Sequence, residues 1–256
     1  MSFHRSDDGP LAILTLDHGE LNLFDRIVID SLDAETRELA ANPPRGLLIR
    51  AEGRVVSGGV DVNMFQGLTQ DAAKQLWQRL LEIIWRVEEL PCPTMFASHA
   101  LCLTAAFELS LACDLLLAAQ SAKFGLVEVV VGLTPSMGGP QRLTERAGAA
   151  RAKQLIYTGG LFDAATLERW NVVSRVWPDH SFAAAAHAFA LRLSNGPTQA
   201  HAATKQIVRT QVEQGTRAAD AIVPVVSSRL FATEDLRNAV ASFLREGPGR
   251  AKYEGR

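Results

Sequence analysis

The sequence is poor in the features that would point to several large functional classes. It holds three cysteines, Cys92, Cys102 and Cys113. They are too few and too irregularly spaced for a disulfide framework or a zinc site, and their apolar neighbours mark them as buried thiols. The six histidines, at 4, 18, 99, 180, 187 and 201, include no pair four residues apart and no His-Glu-x-x-His pattern, so metal chemistry finds no support. Neither sign of charge dominates. Lys and Arg total 26 against 28 Asp and Glu, a net charge of −2, and no run of five like charges occurs, which argues against a nucleic-acid partner. Long apolar runs are missing as well. The stretches at 114–119 and 127–133 fall far short of the roughly 20 residues that span a bilayer. The segment Met1-Ser-Phe-His-Arg-Ser-Asp-Asp8 carries no signal-peptide apolar core. The expectation is a cytoplasmic protein without membrane association.

What remains is a chain of 256 residues with 47% hydrophobic content, enough for a substantial core. Leu11 to Leu16 and Arg45 to Ala51 have the length and composition of strands. Between them Asp25 to Ala41 has helical periodicity, with Ile29, Leu32, Thr36 and Leu39 on one face. The strand–helix–strand order then repeats. Thr69 to Leu90 reads as a long amphipathic helix carrying Leu76, Leu80, Ile83, Ile84 and Val87, and Pro93 to Ser98 reads as a strand. Thr104 to Ala112 reads as a helix that leads into an apolar strand at Asp114 to Ala119. Parallel strands joined by crossovers are expected. Beyond Pro135 the pattern is largely helical, over Gly138 to Ala147, Ala149 to Thr158 and Asp163 to Trp170, with a strand expected at Val172 to Val176. From Ser181 the sequence is rich in Ala, broken at Asn195-Gly196-Pro197 and again near Thr233, an expected helix N-cap. We therefore divide the chain into an α/β core, 1–195, and a helical region, 196–256, whose apolar faces need a partner surface.

Two glutamates stand out. Glu108 lies in Thr104-Ala-Ala-Phe-Glu-Leu-Ser-Leu-Ala112, and Glu128 in Phe124-Gly-Leu-Val-Glu128. A carboxylate among small and apolar residues is costly to desolvate, so it requires a partner, a raised pKa or a catalytic reason. Two of them suggest acid/base chemistry in one dry pocket, the alternative being exposed stripes of amphipathic elements. A third signal is Gly58-Gly59, placed where ligands approach the end of a parallel strand.

In order and spacing, the blocks Arg54 to Phe65, His99 to Asp114 and Ala122 to Leu143 resemble the signatures of the crotonase superfamily, also called the enoyl-CoA hydratase/isomerase family. The resemblance runs from Leu11 to Leu244. It implies an α/β fold, a crotonase-like spiral of repeated ββα units with a C-terminal helical trimerisation region. It also implies a homotrimer or dimer of trimers acting on an acyl-CoA, with no cofactor beyond the coenzyme A of the substrate. The implied activity is enoyl-CoA hydratase, with an isomerase, a hydratase-lyase or a noncatalytic acyl-CoA-binding member as alternatives. Glu108 and Glu128 match the two catalytic glutamates, and the N–H groups of Val60 and Ala105 match the oxyanion-hole donors. Ser57, Gly58, Gly59, Asp61 and Phe65 match CoA- or substrate-binding positions, while Asn63 stands where a lysine is frequent. Gly138-Gly139-Pro-Gln-Arg142 matches a segment expected to be structural, and His99 is expected to be a satisfied structural histidine. One departure is Thr104-Ala105-Ala106, where the family has three glycines. We expect this triplet in helical φ/ψ, where Ala is harmless. The pocket wall is expected to include Phe65, Leu68, Leu76, Trp85 and Leu133.

Overall fold

The computed structural model describes residues 2–256. It opens with an antiparallel hairpin of β1 (Phe3–Asp8) and β2 (Leu11–Leu16). Strand β1 has no place among the sequence expectations. Its side chains beyond Phe3 are polar or charged and mostly exposed, so an edge strand shows little apolar alternation. The predicted units follow: α1 (Arg26–Ala41), β3 (Gly46–Ala51), α2 (Gln70–Glu89) and β4 (Thr94–Ser98). Next come β5 (Leu101–Leu103), α3 (Thr104–Ala112), β6 (Leu115–Ala119) and β7 (Lys123–Gly125). The chain continues through α4 (Gly139–Ala147), α5 (Ala149–Thr158), β8 (Phe162–Asp163), α6 (Ala164–Arg169) and β9 (Arg175–Trp177). It ends in α7 (Asp179–Ser194), α8 (Thr198–Gln214), α9 (Thr216–Ser228) and α10 (Glu234–Glu246).

Among the described residues the main sheet has the order β1-β2-β3-β4-β6-β9, parallel beyond β1, and β5, β7 and β8 form a second, smaller sheet. Strand β2 is buried along its whole length, and β3 nearly so. That burial explains why both read as continuous apolar runs. All nine residues of α3 are buried; Phe107 packs on Phe124 with ring centroids 5.2 Å apart. The three cysteines are buried, as expected, and burial pushes the Cys92 and Cys113 thiols up to about 12. The strand expected at Val172 to Val176 is displaced to Arg175–Trp177. Val172 and Val173 instead donate their N–H groups to Leu167 O and close the end of α6.

The helical C-terminal part is tied back to the core. Thr233 caps α10 through Leu236 N, as expected. Asp235 accepts from Glu254 N and Gly255 N at 2.7 and 2.8 Å, and Arg45, at the start of β3, donates to the carbonyls of Gly196 and Tyr253. Helices α8 to α10 leave Val208, Val212, Phe243 and Leu244 exposed. No helix among the described residues is long and apolar enough to cross a membrane.

Helices α1 and α2 are held together by a buried charge. Asp33, 6% exposed, accepts from Arg37 and Arg79 at 3.1 and 2.9 Å and also from Arg86. Burial works against its ionisation, but the hydrogen bonds and charges of these guanidiniums outweigh it and hold its carboxyl below the usual range. Asp33→Ala would leave Arg37 of α1 and Arg86 of α2 without their shared carboxylate, with Asp30 remaining for Arg79 alone. Their partial exposure moderates the effect, so a loss of roughly 2–4 kcal/mol is expected from urea unfolding. A loss under about 1 kcal/mol, the range of exposed pairs, would contradict this role.

Candidate active site

A cavity of about 230 Å³ lies where α1, α2, α3 and the 127–137 segment meet. Its wall is largely apolar: Phe24 and Ile29 around the start of α1, Met64 and Phe65 from a 3₁₀ turn at Val62–Phe65, Leu76, Trp77 and Leu80 from α2, and Val130, Val131, Leu133 and Met137 opposite. Among these side chains stand two carboxyls, Glu108 and Glu128.

Glu108 is central to α3 and 3% exposed. Its Oε1 accepts from the backbone N–H groups of Met137 and Gly139 at 2.9 and 2.8 Å. Gly138, at φ 95°, makes the turn that aims these donors. Position 139 must be glycine for a different reason, since a Cβ there would lie 2.9 Å from both Cγ and Oε1 of Glu108. Arg142 braces the turn from α4 by donating to Gly138 O at 3.1 Å and pairing with Glu88 of α2. The Gly138-to-Arg142 segment, expected to be structural, is thus also the clamp on Glu108. Burial, and after it the charge of Glu128, pushes the Glu108 carboxyl up to about 8 against the pull of these two donors. Glu128 begins a 3₁₀ turn at Glu128–Val131, and burial pushes it up to about 7. Its Oε2 is buried with no hydrogen-bond partner among the described residues.

The backbone supplies donors from two directions. Phe24 N donates to Gly59 O at 2.9 Å and Asp61 N to Phe24 O at 3.0 Å, so the intervening Val60 turns its own N–H to the opposite side. On that side the 57–60 segment pairs with β5, through Ser57 and Leu103, only until the chain turns into α3. Pairing stops there, and Val60 N–H has no acceptor among the described residues. Ala105 N–H, in the first turn of α3, has none either, as helix geometry requires of an N-terminus without a cap.

The turn between them corrects an expectation. Ala105 and Ala106 have no positive φ, but Thr104 sits at φ 47°. A β-branched residue in the left-handed region is strained by roughly 1–3 kcal/mol. Glycine would be relaxed here, which gives a physical reason for a glycine at this position in the resembling family.

The other predicted residues divide. Gly58, Gly59, Val60, Phe65, Leu76, Leu133 and Ala105 line the cavity, whereas Ser57 and Asp61 do not. Ser57 is fully buried, its Oγ engaged with Asn22 O and Gly59 N, and Asp61 caps the 3₁₀ turn through Asn63 N. His99 donates from Nε2 to Gly53 O at 2.9 Å, a satisfied structural position. Leu68 and Trp85 are not in the wall. Leu68 lies in the turn before α2, while Trp85 is 48% exposed because the core face of α2 is occupied by Leu80, Ile83, Ile84 and Val87. Trp77 takes the aromatic place in the wall, edge-on to Phe65 at 5.8 Å. The helical step from Leu76 and Leu80 was the signal that could have found it.

Comparison with known proteins agrees with this architecture. The family model described as enoyl-CoA hydratase/isomerase matches residues 9–254. The Mycobacterium bovis protein named "Probable enoyl-CoA hydratase echA8" is 31% identical over 241 residues, covering 93% of each chain. A Rhizobium meliloti protein named "Probable enoyl-CoA hydratase" is 29% identical over 247 residues, covering 96% of this chain and 95% of its own. Among solved structures, an enoyl-CoA hydratase subunit I of Geobacillus kaustophilus superposes with TM-score 0.92 at 26% identity over 100% of this chain and 99% of its own. The fold is the crotonase-like α/β fold.

Both glutamates hold their protons more tightly in the folded chain than in the unfolded one, where a glutamate titrates near about 4.3. As pH rises the unfolded state releases these protons first. Their contribution to stability is therefore complete below that value and is lost through about 7 to 8. Glu108→Gln removes one of the two titrations while keeping an oxygen for Met137 and Gly139. Its melting temperature should exceed that of the wild type by several degrees at pH 9, and the gap should narrow toward pH 5. A gap independent of pH in thermal melts would contradict the raised carboxyl.

Proposed function

The chain belongs to the enoyl-CoA hydratase/isomerase family, and we propose that it is an enoyl-CoA hydratase, adding water reversibly across the double bond of a trans-2-enoyl-CoA. The observation that carries this reading is the pairing, in one apolar cavity, of two carboxyls raised to about 7 and 8 with two backbone N–H groups lacking acceptors among the described residues.

In this mechanism the N–H groups of Val60 and Ala105 hold the thioester oxygen. When water attacks the β-carbon, the electron pair of the double bond moves toward that oxygen as an enolate. Preorganised donors of this kind are worth about 3–4 kcal/mol each in the transition state. Glu108, as the carboxylate, orients the attacking water together with Glu128 and takes its proton, while Glu128, as the acid, supplies the proton that reaches the α-carbon. The proton left on Glu108 then restores Glu128 through solvent, so both carboxyls end as they began. Carboxyls titrating near neutrality suit this exchange, because acid and base forms are both accessible. The clamp on Glu108 Oε1 fixes the direction of its carboxylate. A proton shift between two carbons can work with one base, so the presence of two supports hydration over isomerisation. Hydration is redox-neutral and calls for no cofactor beyond the substrate's own coenzyme A. Backbone groups around Gly58 and Val60 are suited to the CoA moiety, while Asn63 offers its phosphates no charge.

Incubation with trans-2-enoyl-CoAs of several chain lengths should yield, by mass spectrometry, products heavier by one water. Glu108→Gln and Glu128→Gln should each lower turnover by about 10²- to 10⁴-fold with the circular dichroism unchanged. Near-normal turnover in both variants would sink the assignment, and a product of unchanged mass with a shifted double bond would favour the isomerase.

A further inference from the structure

Thr104 carries two unfavourable features that the fold itself does not explain. Its φ of 47° is one. The other is its hydroxyl, since Oγ1 is buried and finds no hydrogen-bond partner among the described residues. Threonine at the start of a helix ordinarily caps it, as Thr69 does for α2 and Thr233 for α10. Hydroxyls within helices ordinarily bond back to a carbonyl of the preceding turn, as Ser110 does to Phe107 O at 2.7 Å and Ser194 to Ala190 O at 3.0 Å. Thr104 does neither. Glycine at this position would remove the strain and the orphaned hydroxyl together.

The side chain is also tightly placed. A Cβ built on Gly59 would come within 3.1 Å of Thr104 Oγ1 and 3.5 Å of its Cγ2, so position 59 is glycine where Thr104 packs against it. The next residue after Gly59 is Val60, whose N–H faces this side, and the next after Thr104 is Ala105, whose N–H opens α3. Oγ1 is four bonds from Ala105 N along the chain and packs against the residue that precedes Val60. The hydroxyl is thus a near neighbour of both backbone donors, and Thr104 is one of the few polar residues lining the cavity. A hydroxyl with no protein acceptor has its one O–H free to turn toward whatever those donors hold.

We infer that the Thr104 hydroxyl is a third hydrogen-bond donor to the thioester oxygen of the bound acyl-CoA, beside the N–H groups of Val60 and Ala105. The inference rests on the reading of this cavity as an acyl-CoA site. The O–H keeps its proton throughout. Its hydrogen bond strengthens as the oxygen gains enolate charge, because hydrogen bonds to an anion are shorter and stronger than those to a neutral carbonyl. Thr104 would therefore act more on the transition state than on the bound substrate, and its loss would fall on kcat rather than KM.

The test uses Thr104→Val, which keeps shape and β-branching but has no hydroxyl, Thr104→Ser, which keeps the hydroxyl, and Thr104→Gly, which relieves the strain. Two readouts are taken: turnover of a trans-2-enoyl-CoA, and the fraction of a bound 3-ketoacyl-CoA present as its ultraviolet-absorbing enolate at fixed pH. Thr104→Val should lower kcat by about 10- to 100-fold with KM nearly unchanged, and should lower the enolate fraction. Thr104→Ser should recover both to within about threefold of the wild type. Thr104→Gly should melt at a higher temperature than the wild type yet turn over as slowly as Thr104→Val. Wild-type turnover and enolate fraction in Thr104→Val would overturn the inference. A wild-type protein that binds the 3-ketoacyl-CoA as enolate but hydrates no enoyl-CoA would overturn the hydratase reading alone, and the enolate fractions would still decide the role of Thr104. A wild-type protein that stabilises no enolate would overturn both.

Discussion

The constraint on which the site depends is the burial of one carboxyl, Glu108, in a helix with no exposed face. Every residue of α3 is buried, so Glu108 cannot reach water by turning its side chain outward. An unpaired charge in such a place would simply stay protonated, while a fully compensated one would be too stable an anion to take up a proton. The structure settles between these limits with two backbone N–H groups on one oxygen, opposed by burial and by the charge of Glu128. That balance needs the chain at 137–139 to approach the helix as closely as backbone can. Gly139 follows from the contact itself, Gly138 from the turn, and the Arg142–Glu88 pair from the need to hold the turn in place.

A second consequence concerns the donors. Backbone N–H groups without acceptors inside a protein are rare, because strands and helices use them. Here they arise where two regular elements end against one another. The 57–61 segment is paired on one side with residues 21–24, and on the other with β5 only up to Leu103. Asn22, itself at φ 49°, steadies the first side by bonding His18 N, Glu52 O and Val55 O. The left-handed turn at Thr104 redirects the second side into α3. An interrupted sheet and an uncapped helix thus present their free ends to the same space, and neither element alone would do so.

Much of this was legible in the sequence. The long apolar and periodic segments read correctly because burial sets their pattern directly: β2 and β3 as apolar runs, α2 and α3 as helices. The glutamates stood out because carboxylates among Phe, Leu and Val are expensive. The rest depended on information that no local pattern carries. Strand β1 is an edge strand with one buried side chain. Trp77 and Trp85 occupy the same helix, and only the packing of α2 against its neighbours separates the wall from the surface. The left-handed turn at Thr104 was hidden by the residue type, since threonine gives no sign of a positive φ. The clamp on Glu108 joins residues 29 and 31 positions apart in the chain.

Several unfavourable local features, a strained Thr104 with its orphaned hydroxyl and two raised carboxyls, cluster at this cavity, while the strongly stabilising ones named above lie elsewhere. Apolar strands β2 and β3 and the Asp33 cluster between α1 and α2 need no strain to form. Leu76, Trp77 and Leu80 of α2 form one wall of the cavity, and their placement depends on the Asp33 cluster. The carboxyls and donors depend on α3, the 137–139 turn and the 57–61 segment, and the turn in its own part on α2 through the Arg142–Glu88 pair. Helix α2 is therefore common to both, carrying the wall in its middle and, near its end, the Glu88 that anchors Arg142 beside the Glu108 clamp. A side chain at Gly139 would press directly on the Glu108 carboxyl, and one at Gly59 on Thr104, whereas the Leu76, Trp77 and Leu80 side chains shape the cavity without touching the clamp's hydrogen bonds.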